Sequence, residues 1–139
     1  KYSMPIIFSV HPRTRVRIDE LKFDVVGDIR FLKPLGYFDY VNLQLNSFVV
    51  LSDSGTITEE SAILGFRALN IRATHERPEG MESAAVMMVD LSCRAIEHAL
   101  SILTSNGGTE IFRADPVSDY ETSRVSEKIL KIIITYNIF

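Results

Sequence analysis

Between positions 6 and 104 the sequence alternates short apolar runs with stretches whose apolar residues recur every three or four positions. Runs of four or so apolar residues suit buried strands, and the longer periodic stretches suit amphipathic helices. Strands are expected at Ile6–Val10, Ile29–Leu32, Phe48–Leu51, Ala68–Ile71 and Val86–Val89. Helices are expected at Arg13–Leu21, Gly36–Ser47, Thr56–Leu64 and Ser92–Thr104, the last with Ala95, Ile96, Ala99, Leu100 and Leu103 on one face. Gly65 is placed to close the third helix, and Pro78 to open a short one over Pro78–Ser83. Strands separated by helices rejoin a sheet in parallel, by right-handed crossovers, so the fold class is α/β with a mostly parallel, doubly wound sheet.

The segment Thr109–Asp119 reads as loop, broken by Pro116, and Val125–Tyr136 as a closing helix. On that helix Val125, Ile129, Ile132, Ile133 and Tyr136 form one stripe, which Leu130 and Ile134 widen. A stripe this wide fits burial against the same domain, or partial burial against a partner domain.

The bulk composition narrows the function classes. At 139 residues the chain fits one domain with a sizeable core. A net charge of −3 argues against nucleic acid or a membrane surface as its main partner. The single cysteine, Cys93, excludes an internal disulfide and fits a reducing cytoplasm. No apolar run approaches the ~18 residues that span a bilayer. The three histidines and one cysteine match no metal-ligand spacing, so neither a metal nor another cofactor is expected. The chain starts without methionine inside a strand-like pattern, which reads as a piece of a longer polypeptide.

In doubly wound sheets ligands bind beyond the carboxyl ends of the strands. That rule gathers Val10–Arg13, Pro34–Gly36, Ser52–Thr56 and Arg72–Pro78 on one rim. Residues 51–60 carry the most information: an apolar run stops at Ser52-Asp53-Ser54-Gly55, and a helical pattern opens at Thr56. A helix start aimed over a strand end offers backbone N–H groups to phosphate. Glu60, six residues after Ser54, could hold the two hydroxyls of a ribose. The alternative is a capped helix without ligand, because Thr56-x-x-Glu59 has the pattern of a capping box. His11 on the rim could donate to phosphate or move a proton, or could be an exposed or structurally bonded histidine. Arg77 or Arg72 could neutralise a diphosphate, or pair with Glu76 or Glu79 at the surface. Tyr40 could stack on a planar base or pack in the core.

Four segments together resemble one family. They are Ser-Val-His-Pro-Arg-Thr-Arg (9–15), Lys-Pro-Leu-Gly-Tyr-Phe-Asp-Tyr (33–40), Ser-Asp-Ser-Gly-Thr-Ile-Thr-Glu-Glu-Ser (52–61) and His-Glu-Arg-Pro-Glu-Gly (75–80). In that order and spacing they look like the non-hydrolysing UDP-N-acetylglucosamine 2-epimerases, and their wording is most similar to the UDP-N-acetyl-L-fucosamine synthases. The resemblance implies the Rossmann-like second half of a glycosyltransferase-B type fold. Residues 1–120 would form the UDP-binding domain, and 121–139 a helix packing partly toward the missing N-terminal domain. It implies an isomerase that eliminates UDP and adds it back in capsule or O-antigen precursor synthesis. It further implies a UDP-N-acetylhexosamine as ligand, His11 as a catalytic residue near the diphosphate, and a homodimer as a common assembly. Ser54, Gly55 and Thr56 would form the phosphate turn, Glu60 would hold ribose, Arg77 would flank the phosphates and Tyr40 would lie near uracil. Two departures stand out: Thr56 where many members have a second glycine, and Leu35 where some have glutamine. Acids that move the C2 proton belong to the family's first domain, so this chain alone is expected to be inactive. The other readings are an inverting glycosyltransferase of the same fold and a stand-alone UDP-sugar binding module.

Overall fold

The computed structural model describes residues 2–22, 25–72, 86–105, 117–121 and 123–136. The chain divides into two compact units, Lys1–Leu43 and Gln44–Phe139.

In the first unit, β1 (Ile6–Ser9) and β2 (Ile29–Leu32) pair in parallel, with Ile6 opposite Ile29 and Ser9 opposite Leu32. The connecting helix α1 (Pro12–Leu21) starts with proline at its first position, where a missing N–H costs nothing. Lys22, in the left-handed region at φ 47°, ends it. No residue of α1 is buried. Val10 is the buried side chain among this unit's described residues, and the Phe8 and Phe31 rings pack at 5.8 Å between centroids. Helix α2 (Tyr37–Leu45) follows β2 after Gly36 and ends in the second unit.

The second unit is built on three parallel strands in the order β3 (Val50–Ser52), β4 (Ala68–Ile71), β5 (Met87–Val89). Ser52 lies opposite Asn70, and Asn70 opposite Met88. Side chains alternate between the faces of a strand. On β4, Leu69 faces α4 (Cys93–Leu103), packing with Val89, Ala99 and Leu103. Ala68 faces the other way and packs with Ile57 and Phe66 beside α3 (Ile57–Leu64). Helices therefore cover both faces of a parallel sheet, as the alternating pattern requires. Leu69 is fully buried, a transfer worth about 1.5–3 kcal/mol.

Local signals set the helix ends. Ser92 caps α4, its Oγ accepting from the Ala95 N–H at 3.2 Å. Gly65 closes α3 at φ 74°, its N–H donating to the Ser61 carbonyl at 2.8 Å. A Cβ there would meet nothing within 4 Å, so the left-handed backbone selects glycine, not crowding. The third strand lies two residues later at its start than its apolar run suggests. Phe48 stays outside it, with the Arg67 guanidinium 5.4 Å from its ring centre. The expected strands form a two-stranded and a three-stranded parallel sheet. The expected short helix at 78–83 lies outside the described residues.

The last helix, α5 (Val125–Tyr136), has no buried residue. Its Val125, Ile129, Leu130, Ile132, Ile133 and Ile134 are all exposed, each at half or more of its surface. No described helix is long and apolar enough to cross a membrane.

Candidate nucleotide-binding site

The turn from β3 into α3 is held by its own serines. The Ser52 Oγ accepts from the Ser54 N–H at 3.1 Å, and the Ser54 Oγ from the Thr56 N–H at 3.3 Å. These local bonds replace ladder bonds and turn the chain sharply at the sheet edge. Gly55 lies half-buried between Ser54 and Thr56. The first N–H groups of α3 then have no carbonyl of their own helix to meet.

The capping box expected at Thr56 does not form. An N-cap residue needs an extended backbone, whereas Thr56 is already helical at φ −77°, ψ −12° and its side chain makes no cap bond. With helical dihedrals its hydroxyl reaches one full turn forward and donates to Glu60 Oε1 at 2.7 Å. The other carboxylate oxygen, Glu60 Oε2, accepts from Gln44 Nε2 at 2.6 Å. An ionised carboxylate only accepts, so the Thr56 hydroxyl proton is committed to Glu60. The 2.9 Å contact between the Ser54 and Thr56 hydroxyls therefore has Ser54 as donor. The result is a directed series: Ser54 donates to Thr56, Thr56 to Glu60, and Gln44 to the opposite side of Glu60. The candidate phosphate turn and the candidate ribose acid are thus joined by two hydroxyls.

Gln44 was not among the residues singled out by sequence. It is 3% exposed, and its Oε1 has no hydrogen-bond partner. Asn70 Oδ1, on the neighbouring strand opposite Ser52, is likewise buried without a partner.

In the first unit His11 is exposed and serves as the N-cap of α1. Preceding a proline, it is confined to the extended region, and its φ −61°, ψ 142° meet that demand. Its Nδ1 accepts from the Arg13 N–H at 3.3 Å. In the neutral ring the proton then sits on Nε2, leaving one N–H donor pointing away from the cap. Tyr40 is half-buried one turn into α2, its N–H donating to the Gly36 carbonyl at 2.9 Å. The Arg30 pKa is raised by its hydrogen bond to Asp28 and by that carboxylate's charge. Both belong to the amino end of β2, away from the loops that carry the candidate residues. Arg77 lies outside the described residues, as does His75, and no geometry attaches to either. Among the described residues, no group of three or more His, Cys, Asp and Glu side chains could hold a metal ion.

Strands that all pair in parallel, helices on both faces of the sheet, and polar turns after the strands define a Rossmann-like α/β protein. The sequence profile of the UDP-N-acetylglucosamine 2-epimerase family matches residues 1–134. The chain belongs to that family. A UDP-N-acetylglucosamine 2-epimerase of Methanocaldococcus jannaschii is 35% identical over 106 residues, covering 73% of this chain and 29% of the relative. The solved structure of UDP-N-acetylglucosamine 2-epimerase from Rickettsia bellii matches with a TM-score of 0.82 at 42% identity, covering 97% of this chain and 37% of that one. The Neisseria meningitidis enzyme, solved bound to UDP-GlcNAc, matches with a TM-score of 0.70 at 26% identity, covering 95% of this chain and 36% of that one. The chain thus spans about a third of the length of these relatives.

Proposed function

We propose that this chain is the UDP-sugar-binding half of a UDP-N-acetylhexosamine 2-epimerase acting in the cytoplasm in polysaccharide precursor synthesis. The observation that carries this reading is the hydroxyl-linked set Ser54, Thr56 and Glu60 at the start of α3, one turn long and ending in a carboxyl group. The amides opening α3 suit a diphosphate, and an acid one turn further suits the paired hydroxyls of ribose. Ser54, Gly55 and Thr56 take the phosphates, Glu60 the ribose, Tyr40 the uracil and Arg77 the phosphate charge. His11, with Nε2–H as the free donor, takes a place beside the diphosphate as a catalytic residue.

The reaction proceeds in two balanced steps. A base removes the C2 proton while the C1–O bond breaks, giving a 2-acetamido glycal and UDP. UDP oxygen then bonds to C1 again, and a proton enters C2 from the opposite face. Holding UDP through both halves keeps the second step effectively unimolecular. Transfer of the C2 proton falls to a first domain in the remaining two thirds of the family's length, and the exposed apolar residues of α5 supply a surface for that domain.

The test uses the full-length protein and its UDP-sugar in deuterated water. Deuterium entering C2 is the expected result. Release of UDP that depends on an added acceptor, with no label at C2, would identify a glycosyltransferase instead. In the same protein Glu60→Ala weakens UDP binding by about 1.5–3 kcal/mol, the worth of a hydrogen bond to a charged group. Unchanged affinity in a calorimetric titration would remove Glu60 from the site.

A further inference from the structure

Gln44 sits on the last turn of α2 with its backbone anchored: its carbonyl accepts from the Ser47 N–H at 3.2 Å and the Ser47 hydroxyl at 2.8 Å. A side chain 3% exposed on a pinned backbone has little room to change rotamer. Its amide is turned so that Nε2 meets Glu60 Oε2, because a carboxylate offers only acceptors. That choice leaves Gln44 Oε1 buried with no partner. A leucine or methionine would fill the same space without burying an unpaired oxygen. The amide is therefore poorly explained by stability and well explained by what it does to Glu60.

The acid is held from both sides. Thr56 donates to Oε1 at 2.7 Å and Gln44 to Oε2 at 2.6 Å, which fixes the plane of the carboxylate. Each oxygen still has a lone pair to offer, so the group is aimed without being used up. Pre-aimed groups save the ordering cost that binding otherwise incurs.

We propose that Gln44 is a positioning residue that locks the Glu60 carboxylate for the paired hydroxyls of a nucleotide ribose, setting the preference for ribonucleotide over deoxynucleotide. The inference rests on the ribose role given to Glu60, and the experiment separates the two. UDP and 2′,3′-dideoxy-UDP are titrated calorimetrically into the full-length wild type, Glu60→Ala, Gln44→Leu and the Gln44→Leu/Glu60→Ala double variant. Wild type prefers UDP, and Glu60→Ala erases that preference. Gln44→Leu weakens UDP by roughly tenfold, a hydrogen bond's worth to a charged group, and leaves dideoxy-UDP binding unchanged. In the Glu60→Ala background Gln44→Leu has no further effect.

A Gln44→Leu protein that weakens both nucleotides alike, or neither, overturns the positioning role while the ribose role of Glu60 stands. A wild type that binds both nucleotides equally overturns the ribose role and this inference with it. Should Gln44→Leu fail to fold, Gln44→Met, unbranched and closer in shape, takes its place: loss of UDP binding alone supports the positioning role, and any other pattern overturns it.

Discussion

The two units of this chain hold their candidate residues by different means. In the second, Ser54, Thr56 and Glu60 stand on a turn whose strand and helix are tied into a packed sheet: β4 is buried on both faces, by α3 and by α4. In the first, His11 follows the one buried side chain among the described residues, Val10, and opens a helix with none. Packing places the candidate ribose acid and the candidate phosphate turn; backbone chemistry alone, a proline and a cap bond, places the imidazole. A site that must hold a nucleotide still through two half-reactions would set its binding groups on the first kind of support. A group that works by a single proton can stand on the second.

Core truncation should separate the units most sharply. Leu69→Ala removes a fully buried side chain from the middle of the three-stranded sheet, and is expected to cost about 2–5 kcal/mol. Ile6→Ala acts on a side chain 53% exposed on β1, and belongs with surface changes of about 0.5 kcal/mol or less. Chemical denaturation of the full-length variants checks both. Equal losses would mean that β1 is covered in the whole protein and that the contrast belongs to this chain alone.

His11→Asn asks what the imidazole is for. Asparagine is as good an N-cap as any residue, so α1 should keep its start. The proton-carrying ring is lost, and turnover should fall by roughly a hundredfold or more, the usual worth of a positioned acid or base. Helix content by circular dichroism and steady-state rates are read on the same sample. Full activity in this variant would reduce His11 to a cap.

Much of the fold is legible in the sequence where one residue type answers one local demand. Ile29–Leu32, Ala68–Ile71 and Val125–Tyr136 have the bounds that their apolar patterns mark. Gly65 and Ser92 end and begin helices as their chemistry requires. What escapes depends on dihedrals or on distant partners. Thr56-x-x-Glu59 fits a cap pattern, but the serine turn before it already gives Thr56 helical dihedrals, which redirects its hydroxyl to Glu60. Gln44 lies 16 residues from its partner, beyond any local periodicity. The apolar stripe of that helix, Tyr37, Tyr40, Val41 and Leu45, draws attention to the next position instead, yet Tyr37 and Leu45 are exposed while Gln44 is buried. Phe48 extends the apolar run without joining the strand, because an apolar ring can also serve a guanidinium at a strand's approach.

The smallest expected effect tests whether the second unit's order at its turn owes anything to capping. Ser92 has an extended backbone and a side chain bonded to the Ala95 N–H, so Ser92→Ala should lower stability by about 1 kcal/mol. Thr56→Ala removes no cap. It removes an exposed bond spanning four residues to Glu60, worth about 0.2–0.5 kcal/mol on a helix surface. In UDP binding the order should reverse, because Thr56 holds one oxygen of the proposed ribose acid while Ser92 caps the helix on the other face of the sheet. Parallel denaturation and nucleotide titration of the two variants measure both orders. If Thr56→Ala costs as much stability as Ser92→Ala, the threonine is stabilising the helix after all, and the directed series from Ser54 to Glu60 loses its middle link.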